Sequence, residues 1–349
     1  MATVYLGFQS AIEYWRAVGA GLVPKPVPAT ITRVEDDMNM ASDILRATPR
    51  LAIANRQPIH VLVGNKARAY SAKGVVHHTC AHQLPAGSFC RISENVLVAS
   101  PALCLLHAAQ MTRQGKMLPL LELAYELLGS YSLCDGTHRG FMKHDPFLDY
   151  GTLAKFKAQL PKHMRGRLLL DRTVDLAIPG SASPRETESA LMLCLPESLG
   201  GYAFPSPVLN QIIELNEEMR NLTDKAYLCL DLHWPGTDAV FEYDGADHLE
   251  PDKILEDKSR RNLLATMGYQ VIVIEKGHVA DVRLFNQQME QLARLLGISM
   301  RRLDNDEAEQ RTRLRSYLFD PRHLYRSPLT KPIEKLPETP EGGARSENP

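Results

Sequence analysis

Apolar and polar residues alternate most regularly in the last third of the folded chain, where they follow two different periods. In some segments apolar residues recur every three to four positions, as on one face of a helix, and in others they alternate or form short runs, as in strands. These segments are, in chain order, a helix at 183–195, strands at 208–215, 226–234 and 238–243, a helix at 252–267, a strand at 269–275 and a helix at 282–296. This order predicts an α/β fold in which helices cover both faces of a mixed sheet.

The first half of the chain predicts an α+β unit at 1–130, followed by a helical connector at 131–180. Ser10 and Glu13 have the spacing of a capping box at the start of a helix. Further helices are expected at 41–48, 101–111, 118–128, 150–160 and 165–177, and strands at 58–63, 74–79 and within 88–100. The end of the chain is charged and then rich in proline, which predicts a largely disordered tail at 301–349.

Composition narrows the functional classes. At 349 residues the chain is long enough for two domains, and its formal net charge of −1 excludes a global basic field, so any nucleic-acid binding must use local patches. No apolar run is long enough to span a bilayer, and the first residues lack a signal-peptide pattern. The six cysteines are scattered rather than spaced as a disulfide framework. We therefore expect a cytoplasmic protein with free thiols and no membrane contact.

Three carboxylates interrupt the apolar runs of two neighbouring predicted strands. Asp231 lies in the strand at 226–234, and Glu242 and Asp244 lie two positions apart at the end of the next strand, so that their side chains leave the same face. Carboxylates inside a sheet are costly unless they are paired, protonated or bound to a metal ion. Together they predict a divalent-metal site. In the alternative interpretation Asp231 only ends a strand, and Asp244 only starts a turn with Gly245.

Several short motifs occur in the element order of a known family. They are SPRE at 183–186, DLHWP at 231–235, FEYDGADH at 241–248, and Asp257-x-x-Arg260-x-x-x-Leu264-x-x-x-Gly268 leading into YQVIVIE. This set resembles the PD-(D/E)xK nuclease superfamily, and most of all the small domains akin to the Vsr very-short-patch-repair endonuclease. The resemblance implies a restriction-endonuclease-like domain at 181–300. Residues 85–110 more distantly resemble the region ahead of such domains in proteins related to AbiE-type antitoxins, which implies a recognition or regulatory role for 1–130.

The resemblance also implies a site for Mg²⁺ or Mn²⁺. Carried over position by position, the metal ligands are Glu186, Asp231, Glu242 and the carbonyl of Tyr243. Asp244 stands where the family motif has lysine, and we expect it to belong to the catalytic set with the three acidic ligands. His248, just beyond the turn, is the expected proton shuttle.

The helix position of this site has two alternative interpretations. Glu186 lies three residues after Ser183, with Pro184 at the first helical position, so that it also completes a capping box. If the register of the helix differs, Glu188 becomes the ligand instead.

Basic residues on the helix after the strands are candidates for contacting DNA phosphates. They are Lys253, Lys258, Arg260 and Arg261. Alternatively Arg260 forms a surface pair with Asp257, three positions earlier on the same helix. A second basic run, at 162–167, is more typical of a solvated turn between helices.

A histidine-rich segment offers a weaker metal signal. His78, Cys80 and His82 would share one face of a strand, but their spacing matches no closed four-ligand zinc pattern. The segment therefore favours a strand with incidental histidines.

The residues and the resemblance lead to one functional expectation and two alternatives. We expect a metal-dependent DNA endonuclease, acting in repair or in defence against foreign DNA, whose N-terminal half recognises a target or a protein partner. The first alternative is a non-catalytic, antitoxin-like regulator that binds DNA or protein through a degenerate nuclease fold, because Asp244 replaces the lysine. The second is a small-molecule phosphodiesterase, which a lack of basic surface around the acidic residues would favour.

Overall fold

The computed structural model describes residues 3–35, 58–66, 74–112, 116–223, 225–244 and 251–334, without the side chains of 251–255, 321 and 334. The architecture is mixed α/β, with helices packed on several sheets. The helix expected at 41–48 and His248 lie outside the described residues.

The N-terminal half contains a six-stranded mixed sheet in the order β2-β5-β6-β1-β3-β4. Its strands are β1 (Val4–Leu6), β2 (Val27–Ala29), β3 (Ile59–Val63), β4 (Val75–Thr79), β5 (Phe89–Ser93) and β6 (Val96–Ala99). The central strand β1 runs parallel to β6 and antiparallel to β3. Among the residues of this half that the structure describes, the helices are α1 (Phe8–Gly19), α2 (Pro101–Met111) and α3 (Leu118–Leu128). The predicted bounds of α2 and α3 are confirmed.

The predicted start of the first helix is wrong. Helix α1 begins at Phe8, after Gly7, rather than at a capping box formed by Ser10 and Glu13. The hydroxyl of Ser10 instead accepts the N–H of His60 at 2.9 Å, because β3 lies beside this turn of the helix. Ser10, in the first turn of α1, thus accepts a hydrogen bond from the neighbouring strand and does not cap its own helix.

Two helices of the connector were predicted and a hairpin was not. Helices α4 (Tyr150–Gln159) and α5 (Arg167–Leu176) confirm the expected segments. Ahead of them, β7 (Tyr131–Asp135) and β8 (Phe141–Lys143) form an antiparallel hairpin. With only three residues, β8 is too short to show an alternating pattern, which is why the sequence does not predict it.

The C-terminal half confirms the predicted order of elements and the mixed sheet. After α6 (Pro184–Cys194) come the strands β9 (Val208–Glu214), β10 (Tyr227–His233), β11 (Ala239–Asp244) and β12 (Gln270–Glu275), in the sheet order β12-β11-β10-β9. The helices between and after them are α7 (Glu217–Arg220), α8 (Pro251–Thr266), α9 (Lys276–Ala280) and α10 (Val282–Leu295). Strands β11 and β12 are parallel because α8 crosses between them. Gly268, with φ of +90°, ends α8 as predicted.

Apolar residues cover both faces of this sheet. On one side Leu263 and Leu264 of α8 pack with Val240 of β11. On the other side Phe285 of α10 and Phe241 of β11 belong to a larger cluster that continues into the N-terminal half. A buried phenylalanine of this kind contributes about 3 kcal/mol or more when it is compared with alanine.

The predicted disordered tail is wrong for the part that the structure describes. Residues beyond 300 form α11 (Asn305–Leu318), a 3-10 helix (Pro321–Arg326) and β13 (Ile333–Glu334), and β13 pairs in parallel with β7. Only Leu314 and Leu318 of α11 are buried, so that the sequence of this helix shows little apolar periodicity. Its order comes from docking on the rest of the protein.

Two further features are the state of the cysteines and the length of the helices. All six cysteines lie in the described ranges and are free thiols, as predicted. Among the described residues, no helix is both long and apolar enough to cross a membrane.

Candidate active site

Strands β10 and β11 separate at the acidic residues. Their antiparallel ladder joins Leu232 to Phe241 and His233 to Val240 and then stops. The next position of this register would set Asp231 opposite Glu242. Strand β11 meanwhile stays paired with β12 as far as Asp244. The gap between β10 and β11 therefore begins at the two carboxylates, whose positions face the same side of the sheet.

Asp231 lies within the electrostatic influence of two other carboxylates. Burial is the main cause that raises the pKa of its carboxyl to about 8, and the charges of Glu186 and Glu242 raise it further. The charge of Arg260 and a hydrogen bond from the N–H of Tyr243 act in the opposite direction and do not outweigh these effects. The structure thus brings together the three acidic residues that the sequence predicted as metal ligands.

Glu186 is held at the start of α6 by its own turn and by β9. The hydroxyl of Ser183 accepts the N–H of Glu186 at 3.2 Å and donates to its Oε1 at 2.9 Å. The N–H of Ala182 donates to Oε2 at 2.7 Å, and the side-chain amide of Asn210 donates to the same oxygen. Glu186 therefore stabilises the start of the helix, and its charge also acts on Asp231.

Glu242 is bound by an arginine from α8. Nη1 of Arg260 donates to Oε2 at 2.7 Å, and its Nη2 lies 2.6 Å from Oε1 and donates to the carbonyl of Cys229 at 2.6 Å. Within the described part of the chain, the buried Oε1 has no hydrogen bond of good geometry. Arg260 thus occupies the gap between β10 and β11 and compensates the acidic cluster. Its ion-pair partner is Glu242 rather than Asp257.

Asp244, at the lysine position of the family motif, is also paired. Its Oδ2 accepts Nη2 of Arg261 at 2.7 Å. Two of the four predicted phosphate-binding residues, Arg260 and Arg261, therefore contact carboxylates of the site in this structure. Lys258 is exposed on α8, and the side chain of Lys253 lies outside the description.

The acidic side chains of this site have the oxygen ligands that a hard divalent cation prefers. Their spacing in this structure does not match a bound ion. Glu186, Asp231 and Glu242 offer carboxylate oxygens, which Mg²⁺ and Mn²⁺ prefer. One of these oxygens, Oε1 of Glu242, is buried without a well-aligned donor among the described residues. No group of three His, Cys, Asp or Glu side chains in the described ranges is spaced to hold a metal ion. The arrangement is that of an acidic cluster neutralised by arginine.

Glu188, the alternative helix ligand, belongs to a second buried cluster. Its Oε2 pairs with Nη1 of Arg185 at 2.5 Å, and its Oε1 lies 4.0 Å from Nε2 of His323. Burial raises the pKa of Glu188 to about 7, although Arg185 and His323 lower it. His323 also binds Glu122 at 2.6 Å. This cluster lies between α6, α3 and the C-terminal segment.

The histidine-rich strand forms an aromatic stack. The ring of His78 lies 3.7 Å from that of Phe8, and its Nε2 is 2.8 Å from Nδ1 of His60. Burial lowers the pKa of His78 to about 4, with smaller contributions from His60 and His77. His78 is therefore neutral at pH 7, and its ring lines a cavity of about 610 Å³.

Sequence reasoning missed three residues around the site. Asn210 holds Glu186, and the only signal for it is a polar side chain inside the apolar strand β9. Arg185 lies over the ring of Tyr243, with its guanidinium carbon 5.5 Å from the ring centre. In the sequence it stood out only as a member of the SPRE motif. Lys143 of β8 acts electrostatically on Cys229, beside Asp231, and no local pattern indicates it.

Comparisons with models of protein families, with curated proteins and with solved structures each found no match. The class of the protein therefore follows from its own fold and site. The protein is a mixed α/β protein with three carboxylates grouped where two central strands of a sheet separate.

Proposed function

We propose that the protein is a divalent-metal-dependent endonuclease that hydrolyses phosphodiester bonds of DNA. The observation that carries the proposal is the grouping of Glu186, Asp231 and Glu242 at the gap between β10 and β11, where the two glutamate charges raise the pKa of the aspartate. Like charges held together in a sheet are costly and mark functional sites. The four-stranded mixed sheet, with helices on both faces, supports a restriction-endonuclease-like domain.

Mg²⁺ or Mn²⁺ would be held by Asp231 and Glu242, with Glu186 and the carbonyl of Tyr243 as further oxygen donors. The bound ion supplies an activated water and stabilises the charge that develops on the phosphate. His248, four residues after Asp244 in the sequence, is proposed as the proton shuttle.

The chain's own residues prepare the site in the absence of the ion. Arg260 holds Glu242 in place and offsets its charge, and Arg261 does the same for Asp244. The N–H of Tyr243 donates to the carboxyl of Asp231, and burial is the main cause that raises the pKa of this carboxyl to about 8. If the ion displaces Arg260 from Glu242, the guanidinium becomes a cation beside the site, where the family motif has its lysine.

A cleavage assay tests this proposal. Purified protein is incubated with plasmid, mismatched duplex or single-stranded DNA in Mg²⁺, Mn²⁺ or EDTA. Asp231→Asn and Glu242→Gln keep the side-chain shape and remove the charge, and Glu214→Gln on the exposed end of β9 is the matched control. We expect metal-dependent cleavage that both site variants lose and the control keeps. A folded wild-type protein that cleaves none of the substrates would contradict the proposal.

A second candidate is a non-catalytic regulator that binds DNA or a protein partner through the same fold. It is favoured by the pairing of Arg260 with Glu242 and of Arg261 with Asp244, which neutralises the acidic residues from within the protein. Specific binding that persists in EDTA, without cleavage in any metal, would support this candidate. In either case the N-terminal half is proposed to recognise the target or partner, and the six free thiols support a reducing, cytoplasmic location.

A further inference from the structure

We infer that the hairpin β7–β8 and the start of α6 form one flank of the active site that contacts the sugar–phosphate backbone of a nucleic acid. We call this surface, made of Arg139, Lys143 and Arg185, the hairpin flank. The inference rests on the proposed function, since it assigns a substrate class to the same site. It adds phosphate contacts on a different element from the predicted helix α8.

The hairpin is attached directly to the helix that carries Glu186. Tyr131 of β7 is paired with Lys143 of β8 in the ladder. The hydroxyl of Tyr131 lies 2.9 Å from Oγ1 of Thr187, the residue after Glu186. Because Tyr131 and Lys143 are directly opposite in the ladder, their side chains leave the same face of the hairpin, towards α6. Helix α6 packs with Phe241 and α8 packs with Val240, so that the hairpin and α8 lie on opposite faces of the sheet.

Two arginines extend this flank along the start of α6. Arg139, in the turn of the hairpin, and Arg185 line the same cavity of about 220 Å³, together with Pro184. Arg139 is exposed, and the side chain of Arg185 is about one third exposed. The N-terminal end of α6 adds a partial positive charge to the same surface.

The acidic residues of this cavity are already engaged. Asp135 accepts the hydroxyl of Tyr325 at 2.6 Å, and Glu188 pairs with Arg185. In the described part of the chain, no ion pair engages Arg139 or Lys143. On the other side of the gap, by contrast, Arg260 and Arg261 are bound to carboxylates. Of the three basic residues of the hairpin flank, Arg139 and Lys143 are therefore available to phosphates, whereas Arg185 keeps its pair with Glu188.

The distribution of charge favours a polymer over a small phosphodiester. Arg139 and Lys143 lie on the hairpin, whereas the exposed Lys258 lies on α8, beyond the acidic residues. Cations on both sides of a cleavage site match successive phosphates of a strand that crosses it. One small diester would reach only one of these groups.

Binding measurements on the full chain test the inference. Fluorescence anisotropy is recorded with a labelled duplex and with a labelled single strand of equal length, in EDTA and in Ca²⁺, over a series of salt concentrations. The test variant is Arg139→Glu/Lys143→Glu. The control with the same charge change is Lys155→Glu/Arg172→Glu, on exposed positions of α4 and α5. Arg139→Lys/Lys143→Arg is the conservative variant, and circular dichroism verifies that all variants are folded.

We expect the test variant to lose about tenfold or more in affinity, while the control and the conservative variant stay near wild type. The slope of log K against log salt should decrease by about 1.8 for duplex, or about 1.4 for single strand, as expected for two lost phosphate contacts. The arm with the larger loss identifies the preferred form of nucleic acid. Equal affinity and salt dependence in the test variant and the control would overturn the inference.

The outcome is separable from that of the cleavage assay. Binding that depends on the hairpin flank, without cleavage in any metal, would support the flank and contradict the nuclease. Cleavage with binding that is independent of Arg139 and Lys143 would support the nuclease and contradict the flank. Cleavage of bis(4-nitrophenyl) phosphate without any binding of either nucleic acid would also overturn the inference, in favour of a small-molecule phosphodiesterase.

Discussion

Arg260 binds Glu242 from both of its terminal nitrogens, with Nη1 at 2.7 Å from Oε2 and Nη2 at 2.6 Å from Oε1. The same Nη2 donates to the carbonyl of Cys229, so that one guanidinium bridges β10 and β11 where their ladder has ended. The arginine thereby offsets one of the negative charges in the group of three acidic residues. A metal ion and Arg260 are expected to compete for Glu242.

The first prediction concerns this competition. Arg260→Gln leaves Glu242 and Asp231 without their cation, and breaking a buried ion pair costs about 3 to 5 kcal/mol. Because the two side chains are 21% and 10% exposed, we expect a loss at the lower end, about 3 kcal/mol, in the free energy of unfolding in EDTA. Mn²⁺ should then raise the melting temperature more in the variant than in wild type.

Thermal denaturation in EDTA and in Mn²⁺ measures both effects. The matched control is Arg294→Gln, whose pair with Glu290 on α10 is exposed and should change stability by less than about 0.5 kcal/mol. An identical metal-induced shift in wild type and in Arg260→Gln would show that Arg260 and the metal do not compete.

The second prediction separates stability from function at Asp231. Burial, together with the charges of Glu186 and Glu242, opposes ionisation of this carboxyl. Asp231→Asn removes the charge and retains the shape, so the metal-free protein should become more stable by about 1 kcal/mol at pH 8.5. Urea denaturation in EDTA measures this gain, and the stabilising effect of Mn²⁺ should disappear in the variant. A less stable Asp231→Asn variant would mean that the three carboxylates do not repel one another.

The third prediction is a pH dependence of stability through His323. Burial lowers the pKa of this imidazole, but its hydrogen bond and charge interaction with Glu122 and the charge of Glu188 outweigh burial and raise it. A histidine with a raised pKa stabilises the folded state fully below its unfolded value of about 6.5, and this contribution is lost as the pH rises through the folded value. Stability should therefore decrease from pH 6 to pH 9, and ionisation of Asp231, whose pKa is raised to about 8, adds to this decrease in the metal-free protein.

Two variants separate the contributions of His323 and Glu188 to this decrease in stability. The pKa of Glu188 is raised to about 7. Its ionisation between about pH 4.5 and pH 7 therefore also lowers the stability of the folded state. Urea denaturation of His323→Gln should show a smaller decrease above pH 6.5, and Glu188→Gln a smaller decrease below pH 7. The groups that face His323 are Glu122, Glu188, the ring of Tyr317 and the carbonyl of Asp320. If His323→Gln keeps the full decrease above pH 6.5, the imidazole is not its source.

The fourth prediction concerns the attachment of the C-terminal segment. Arg16 forms a buried two-point pair with Glu126 and also donates to the carbonyls of Leu329 and Lys331. Arg16→Met leaves Glu126 buried without a cation, which should cost about 3 to 5 kcal/mol. The segment that carries Lys331 should then be released from α1.

Limited trypsin digestion detects this release as faster cleavage after Arg326, since Lys331 precedes a proline and is resistant to trypsin. Arg313→Met on the exposed side of α11 is the control and should digest as wild type does. In the double variant Arg16→Met/Glu126→Leu, both charges are gone and much of the stability should return, but the carbonyls of Leu329 and Lys331 still lack their donor. Unchanged digestion in Arg16→Met would show that the segment is held by other contacts.

Much of the C-terminal half was predictable because its signals are local. The apolar spacing of α8 and the glycine at 268 predict where the helix ends, and both depend only on residues a few positions apart. The candidates Asp231 and Glu242 were also predictable, because a carboxylate inside an apolar strand is visible in the sequence itself. The order of elements then determined that both lie in neighbouring strands of a mixed sheet.

The partners of these residues were decided by the tertiary structure alone. Arg260 and Arg261 were predicted to contact phosphates, but the packing of α8 across β11 places them on Glu242 and Asp244. Asn210 and Lys143 come from β9 and β8, and no spacing in the sequence connects them with the site. Helix α11 has few apolar residues and becomes ordered by docking, so its pattern resembles that of a disordered tail. Periodicity reports which face of an element is buried, whereas the choice of ion pairs depends on which elements the fold brings into contact.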